Sequence, residues 1–291
     1  MSLVILAAYA VGASLGLWAS RRPSLAVVWP RIVRAQLLVA SIVLSVAAAW
    51  RLTGIQDVAW PLAVVMVFGV ILAVSLVLTR GERRLGRGTL RAWTATSNTG
   101  YFVVPLTAAL GGPAGLLTAV LVDRLGSPLW AVYIHLLRRD APTPQRMRTS
   151  WVDQSPLLAL LVGLALHLVG PAPEWTATVS LAMAPVLAAT GAAVFVGSAL
   201  HPTQRIPARP GLGPWLRLVA LRVALLAPVV LLAPNDGVRL VAVLCALSVP
   251  AFGPAQFSTV YGYAEPVVAA SARYGWWIGA LGVAAAYAVT R

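Results

Sequence analysis

Long apolar runs alternate along this chain with short clusters of Arg, Gly and Pro. A helix needs about 20 apolar residues to cross a bilayer. The runs predict ten spans, at 2–20, 31–51, 58–79, 89–111, 113–137, 155–170, 176–199, 212–233, 237–261 and 264–289. The sixth is short and ends at Gly170-Pro171. The longest polar connection, Arg138 to Gln154, divides the chain near its middle. The expected fold class is therefore an all-α membrane protein with ten transmembrane helices and no soluble domain.

Two of these runs contain an interruption. Ser97-Asn98-Thr99-Gly100-Tyr101-Phe102-Val103-Val104-Pro105 places a polar triplet, a glycine and a proline deep in the fourth span. Pro105 lacks a backbone N–H and clashes with the carbonyl four residues back, so a continuous helix cannot pass undisturbed. In lipid, a break at this depth survives only where protein or a water-filled cavity covers it. The ninth span carries Ser248-Val249-Pro250-Ala251-Phe252-Gly253-Pro254-Ala255-Gln256, with two prolines of its own. At an offset of 150 the two stretches align, with Gly100 on Pro250, Gly112 on Gly262 and Asp123 on Arg273. Two halves of five spans each enter the membrane with opposite orientation, which is an inverted repeat. The domain expectation follows: 1–138 as the first repeat, 139–154 as a cytoplasmic linker and 155–291 as the second repeat. Interrupted spans at matching positions of two halves point to a binding site at the midplane.

Charge fixes the orientation. Fifteen arginines (21, 22, 31, 34, 80, 83, 84, 87, 91, 138, 139, 146, 148, 205 and 209) fall on one side of the ten spans, and three (51, 239 and 291) on the other. The positive-inside rule makes the rich side cytoplasmic and places both termini outside, as in a bacterial inner membrane. All 22 basic residues are Arg against 8 acidic ones, a net charge of +14. Such a balance suits nucleic acid, but these arginines lie between apolar spans, so nucleic acid is not an expected partner. The single Cys245 cannot form an intrachain disulfide, and the N-terminal run reads as an uncleaved span, not a signal peptide.

The run SNTGYFVVPLTAALGGPAGLLTAVLVDRLGSPLW resembles the fourth and fifth spans of the auxin efflux carrier family, in its bacterial branch. The run SVPAFGPAQFSTVYGYAEPVVAASARYGWW resembles that family's last two spans. The resemblance implies a bile-acid-transporter-like fold with a scaffold domain and a core domain holding two crossing broken helices. It also implies a small organic anion as substrate; auxin and dicarboxylates are examples in the family. The central loop is short, unlike the long hydrophilic loop of the plant carriers, and the second span lacks a polar or proline-rich ending.

Catalytic, metal and cofactor motifs are absent: no Walker loop, no His/Cys metal spacing and no GxSxG. The chain is expected not to be an enzyme and to need no cofactor. The candidate substrate-binding residues are Ser97, Asn98, Thr99, Gly100, Tyr101, Pro105, Pro250, Pro254, Gln256 and Arg273. Pro105 and Pro254 suit the first turns of restarting half-helices. Their free N–H groups carry a partial charge of about +0.5 and favour a carboxylate. Tyr101 and Phe102 are placed to stack on a substrate ring or to gate it. Asp123 lies about 15 Å into the fifth span, counting ~1.5 Å per residue. It is either a coupling group that takes a proton in each cycle or a static partner of Arg124, Arg273 or Arg222. Arg273 either binds a substrate carboxylate or neutralises Asp123.

The expectation is a secondary transporter, an efflux carrier of a small organic anion. A core of spans 3–5 and 8–10 would move like an elevator against a scaffold of spans 1, 2, 6 and 7. A sodium-coupled symporter and a non-transporting membrane sensor are the alternatives. Its partners are a small organic anion, the lipid bilayer and, as an open alternative, a second copy in a homodimer.

Overall fold

A computed structural model of the protein describes residues 1–22, 29–81, 97–129, 132, 135, 155–199, 212–249 and 265–291. Among these residues there are ten α-helices and no strand. In chain order they are α1 (Ser2–Ser20), α2 (Trp29–Trp50), α3 (Gln56–Leu78), α4 (Val104–Leu110), α5 (Gly112–Leu125), α6 (Ser155–Val169), α7 (Trp175–Ala199), α8 (Leu212–Leu232), α9 (Asp236–Ala246) and α10 (Glu265–Val289). A five-residue π-helix, Thr99–Val103, leads directly into α4.

Among the described residues, four stretches are long and apolar enough to cross a membrane: Ser2–Ser20, Gln56–Leu78, Trp175–Val196 and Trp215–Leu232. Large apolar side chains also face outward. Leu3, Leu6, Trp18, Met66, Leu161, Leu231 and Trp277 are all exposed. A helix that is apolar all round suits lipid, not water. The chain is accordingly an all-α protein of membrane type. Two helical pieces are only half as long. Thr99–Leu110 and the eleven residues of α9 each rise about 17 Å at ~1.5 Å per residue, roughly half a hydrocarbon core.

The helices pack in two groups. α1 runs along α7, α2 runs along α6, and α2 also touches α7. Small residues set these contacts. A Cβ added at Gly12 or Gly16 of α1 would collide with the backbone of Ala189 or Ala193 on α7. One added at Gly163 of α6 would collide with Val46 and Ala49 on α2. Small residues four apart let membrane helices approach backbone to backbone, where dispersion between closely fitted surfaces holds them. The second group joins α3, Thr99–Leu110, α5, α8, α9 and α10, with α5 against α3, α4 and α9, and α8 against α3 and α9. α7 touches both the π-helix and α4, and so links the two groups.

Sharp turns position the second group. α4 and α5 are separated by Gly111 alone. The first residue of α5, Gly112, has φ +59°, a left-handed conformation that costs glycine little, and Pro113 follows in the first turn. α9 starts at Asn235, whose side chain accepts from the Val238 N–H at 2.9 Å.

Candidate functional site

The interruption begins at Ser97-Asn98. Asn98 is the N-cap of the π-helix; its Oδ1 accepts from the Tyr101 N–H at 3.3 Å. Its carbonyl accepts from both Phe102 and Val103 N–H at 3.1 Å. The bond to Val103 spans five residues and makes this turn a π-turn, a feature often found at functional sites. The helical restart thus lies at Thr99, six residues before the expected Pro105, which occupies the first turn of α4. Pro105 leaves its own mark. It has no N–H to offer the carbonyl four residues back, that of Tyr101. The Tyr9 hydroxyl of α1 donates to that carbonyl at 2.9 Å and lies 3.5 Å from the Phe102 carbonyl.

Opposite this restart, α9 stops at Ala246. Ser97 Oγ donates to the Cys245 carbonyl at 2.6 Å, and the Asn98 N–H donates to Ser248 Oγ at 3.2 Å. Ser97, Asn98 and Ser248 are all buried. Arg222 of α8, 2 % exposed, donates from Nε to the Ala246 carbonyl and from Nη2 to the Ser248 carbonyl, each at 2.9 Å. A guanidinium at a helix C-terminus satisfies orphan carbonyls and opposes the negative end of the helix dipole. Arg222 therefore holds the end of α9 open at the break.

On the other side of Asn98 lies α5. Thr99 Oγ1 donates to Asp123 Oδ1. Asp123 Oδ2 pairs with Arg124 Nη1 at 3.0 Å. Consecutive residues do not face each other on a helix, so these two side chains curl round the helix to meet. The Asp123 carboxylate also lies under Gly100, where an added Cβ would come within 3.7 Å of it. Of the arginines weighed as partners of Asp123, Arg124 holds it, while Arg222 is bonded to the end of α9.

Among the described residues, two buried donors have no hydrogen-bond partner: Asn98 Nδ2 and Arg124 Nε. Asn98 is 3 % exposed and Arg124 9 %. The Asn98 amide cannot be turned over to hide its NH2, because Oδ1 must face the Tyr101 N–H. A buried donor left unmade costs about 1–3 kcal/mol, more for a charged group. Such vacancies in a buried polar cluster call for an acceptor.

Of the sequence candidates, Ser97, Asn98, Thr99, Gly100 and Asp123 come together in one cluster. Tyr101 turns its side chain toward α7, where a Cβ on Gly191 would meet the Tyr101 Cβ at 2.5 Å. Phe102 is buried near Gly279 of α10. Their rings pack against neighbouring helices in this conformation. Pro250, Pro254, Gln256 and the side chain of Arg273 lie outside the described residues. Sequence reasoning did not single out Tyr9, Ser248 or the cap made by Arg222, and saw Arg124 only as a partner for Asp123. Pro105 did signal one of them, since it orphans the Tyr101 carbonyl and some outside donor must then cover it.

No protein-family model matches this chain, and no curated protein matches it significantly.

Proposed function

We propose that the protein is a secondary transporter, an efflux carrier for a small organic anion, with its site where the fourth and ninth spans are interrupted. The observation that carries this reading is the hydrogen bond from the Asn98 N–H to Ser248 Oγ. The two residues are 150 positions apart, the same offset at which the halves of the sequence align. A two-fold relation between the halves would exchange these residues, so its axis would run through their contact. This supports a 5+5 inverted repeat with two crossing broken helices, the arrangement implied by the resemblance to the auxin efflux carriers.

The packing supports the division of labour. α1, α2, α6 and α7 join by close backbone contacts, as suits a rigid scaffold. The remaining helices carry the interruptions and form the core that would slide against it, elevator-fashion. The arginine asymmetry supports an inner-membrane location with both termini outside. Anion is favoured over sodium by which atoms are engaged. Ser97 Oγ and Asn98 Oδ1 already serve the backbone, whereas the vacant groups are N–H donors. A cation needs oxygens.

The test is flux in proteoliposomes loaded with carboxylates and indole acids, chosen by a thermal-shift screen in which ligand raises the melting temperature. Asn98→Ala should lower flux at least tenfold at normal expression, and removing sodium should change nothing. Full transport by both Asn98→Ala and Pro254→Ala would remove the site assignment.

A further inference from the structure

One face of α1 carries Ser2, Ile5, Tyr9, Gly12 and Gly16, spaced three and four residues apart. Its two ends do different things. Gly12 and Gly16 lie against the backbone of Ala189 and Ala193 and fix α1 on α7. Ser2 and Tyr9 reach the interrupted span instead. Ser2 Oγ donates to the Ala109 carbonyl at 3.1 Å, and the Tyr9 hydroxyl donates to the Tyr101 carbonyl at 2.9 Å. These are the two carbonyls that helix geometry serves worst. Pro105 has no N–H to give Tyr101, and Ala109 stands in the last turn of α4, where intrahelical partners run out. In lipid, a neighbouring helix or water must cover such groups.

The register matches as well. The hydroxyls are seven residues apart and the carbonyls eight, so each pair spans roughly 10–12 Å at ~1.5 Å per residue. The earlier hydroxyl meets the later carbonyl, so α1 runs antiparallel to Thr99–Leu110. Tyr101 is held a second time, from α7. A Cβ on Gly191 would meet the Tyr101 Cβ at 2.5 Å and two ring carbons at 2.9 Å, so the ring fills the notch that glycine leaves.

We propose that Ser2 and Tyr9 are positioning residues, a paired clasp by which α1 sets the resting place of the interrupted fourth span against α7. The clasp is reversible, because water can take the place of either hydroxyl once the helices part. This rests on the transporter reading above and deepens it, by naming what holds the core on the scaffold in this conformation.

The test uses the full chain with two readouts. The first is a melting-temperature cycle. Pro105→Ala restores an N–H four residues after Tyr101, which makes the Tyr9 hydroxyl redundant. Tyr9→Phe should therefore lower the melting temperature of wild type at least twice as much as that of Pro105→Ala. The second readout is the distance between spin labels at Val11→Cys on α1 and Met66→Cys on α3, both exposed positions, in a Cys245→Ala background. Ser2→Ala and Tyr9→Phe together should raise the share of a second separation at least tenfold, which lost stability alone does not do. Equal costs of Tyr9→Phe in both backgrounds overturn the clasp, and so does one unchanged separation in the doubly substituted chain. Carboxylate flux that persists beside either result leaves the carrier standing. A wild type that moves no carboxylate, with the cycle non-additive and the separations shifted, removes the carrier and keeps the clasp. Should Pro105→Ala not fold, the label separations decide.

Discussion

The α1–α7 contact and the Asn98–Ser248 contact are both buried meetings between halves of the chain, yet different forces make them. In the first, Gly12 and Gly16 lie on Ala189 and Ala193 with no room for another carbon. Shape alone holds the pair, and shape tolerates one arrangement only. In the second, Ser97, Asn98, Arg222 and Ser248 exchange hydrogen bonds with backbone that two broken helices leave uncovered. Such bonds can be remade with new partners. A part that must stay fixed is best built the first way, and a part that must admit and release a ligand the second way.

Gly16→Leu attacks the shape-built contact and should do the most damage. Overpacking a fitted site costs about 1–3 kcal/mol, and here the obstacle is backbone, so the upper end is expected. The measurement is thermal unfolding in detergent. A melting temperature close to wild type would mean that α1 and α7 are not locked. Arg222→Gln attacks the break. It strips a charged donor from two carbonyls and should cost about 1.5–3 kcal/mol, with flux falling further than stability. Equal loss of both would make Arg222 a purely structural cap.

Tyr9→Phe sharpens the boundary between the two regions, because it removes only the hydroxyl over the Tyr101 carbonyl. A loss of about 1 kcal/mol is expected, with altered transport rate at unchanged substrate affinity. The smallest effect belongs to Asp57, at the start of α3. Its Oδ2 accepts from Thr53 N–H at 2.6 Å, Thr53 Oγ1 at 2.7 Å and Gly54 N–H at 3.2 Å, which ties the preceding turn to the helix. Asp57→Ala removes all three acceptor contacts and should lower the melting temperature by a few degrees at most, since the site is exposed. An unchanged melting temperature would mean that this turn is not part of the cooperative fold.

Much of this was readable in the residues. The polar triplet and proline at Ser97–Pro105 announce an interruption, and the offset of 150 pairs that stretch with the run from Ser248 to Gln256, without singling out Asn98 and Ser248. The restart at Thr99 was not readable, because Asn98 caps a π-turn whose register depends on which donors surround it. The place of Arg124 was hidden for a similar reason. As the neighbour of Asp123 it should point elsewhere on an ideal helix, and only side-chain curling joins the two. Gly191 gave no signal at all, since its meaning is the space it leaves for Tyr101 on another helix.

Proline at 105 makes a socket in its own helix, and the phenol of α1 is the plug. If the proposed elevator operates, a plug seated from the scaffold on the core would act as a detent. Each stroke would begin by drawing it out, and any second resting position would have to offer the Tyr101 carbonyl another donor or water. The number of stable stops along the path would then be set by how many such plugs the surrounding wall provides.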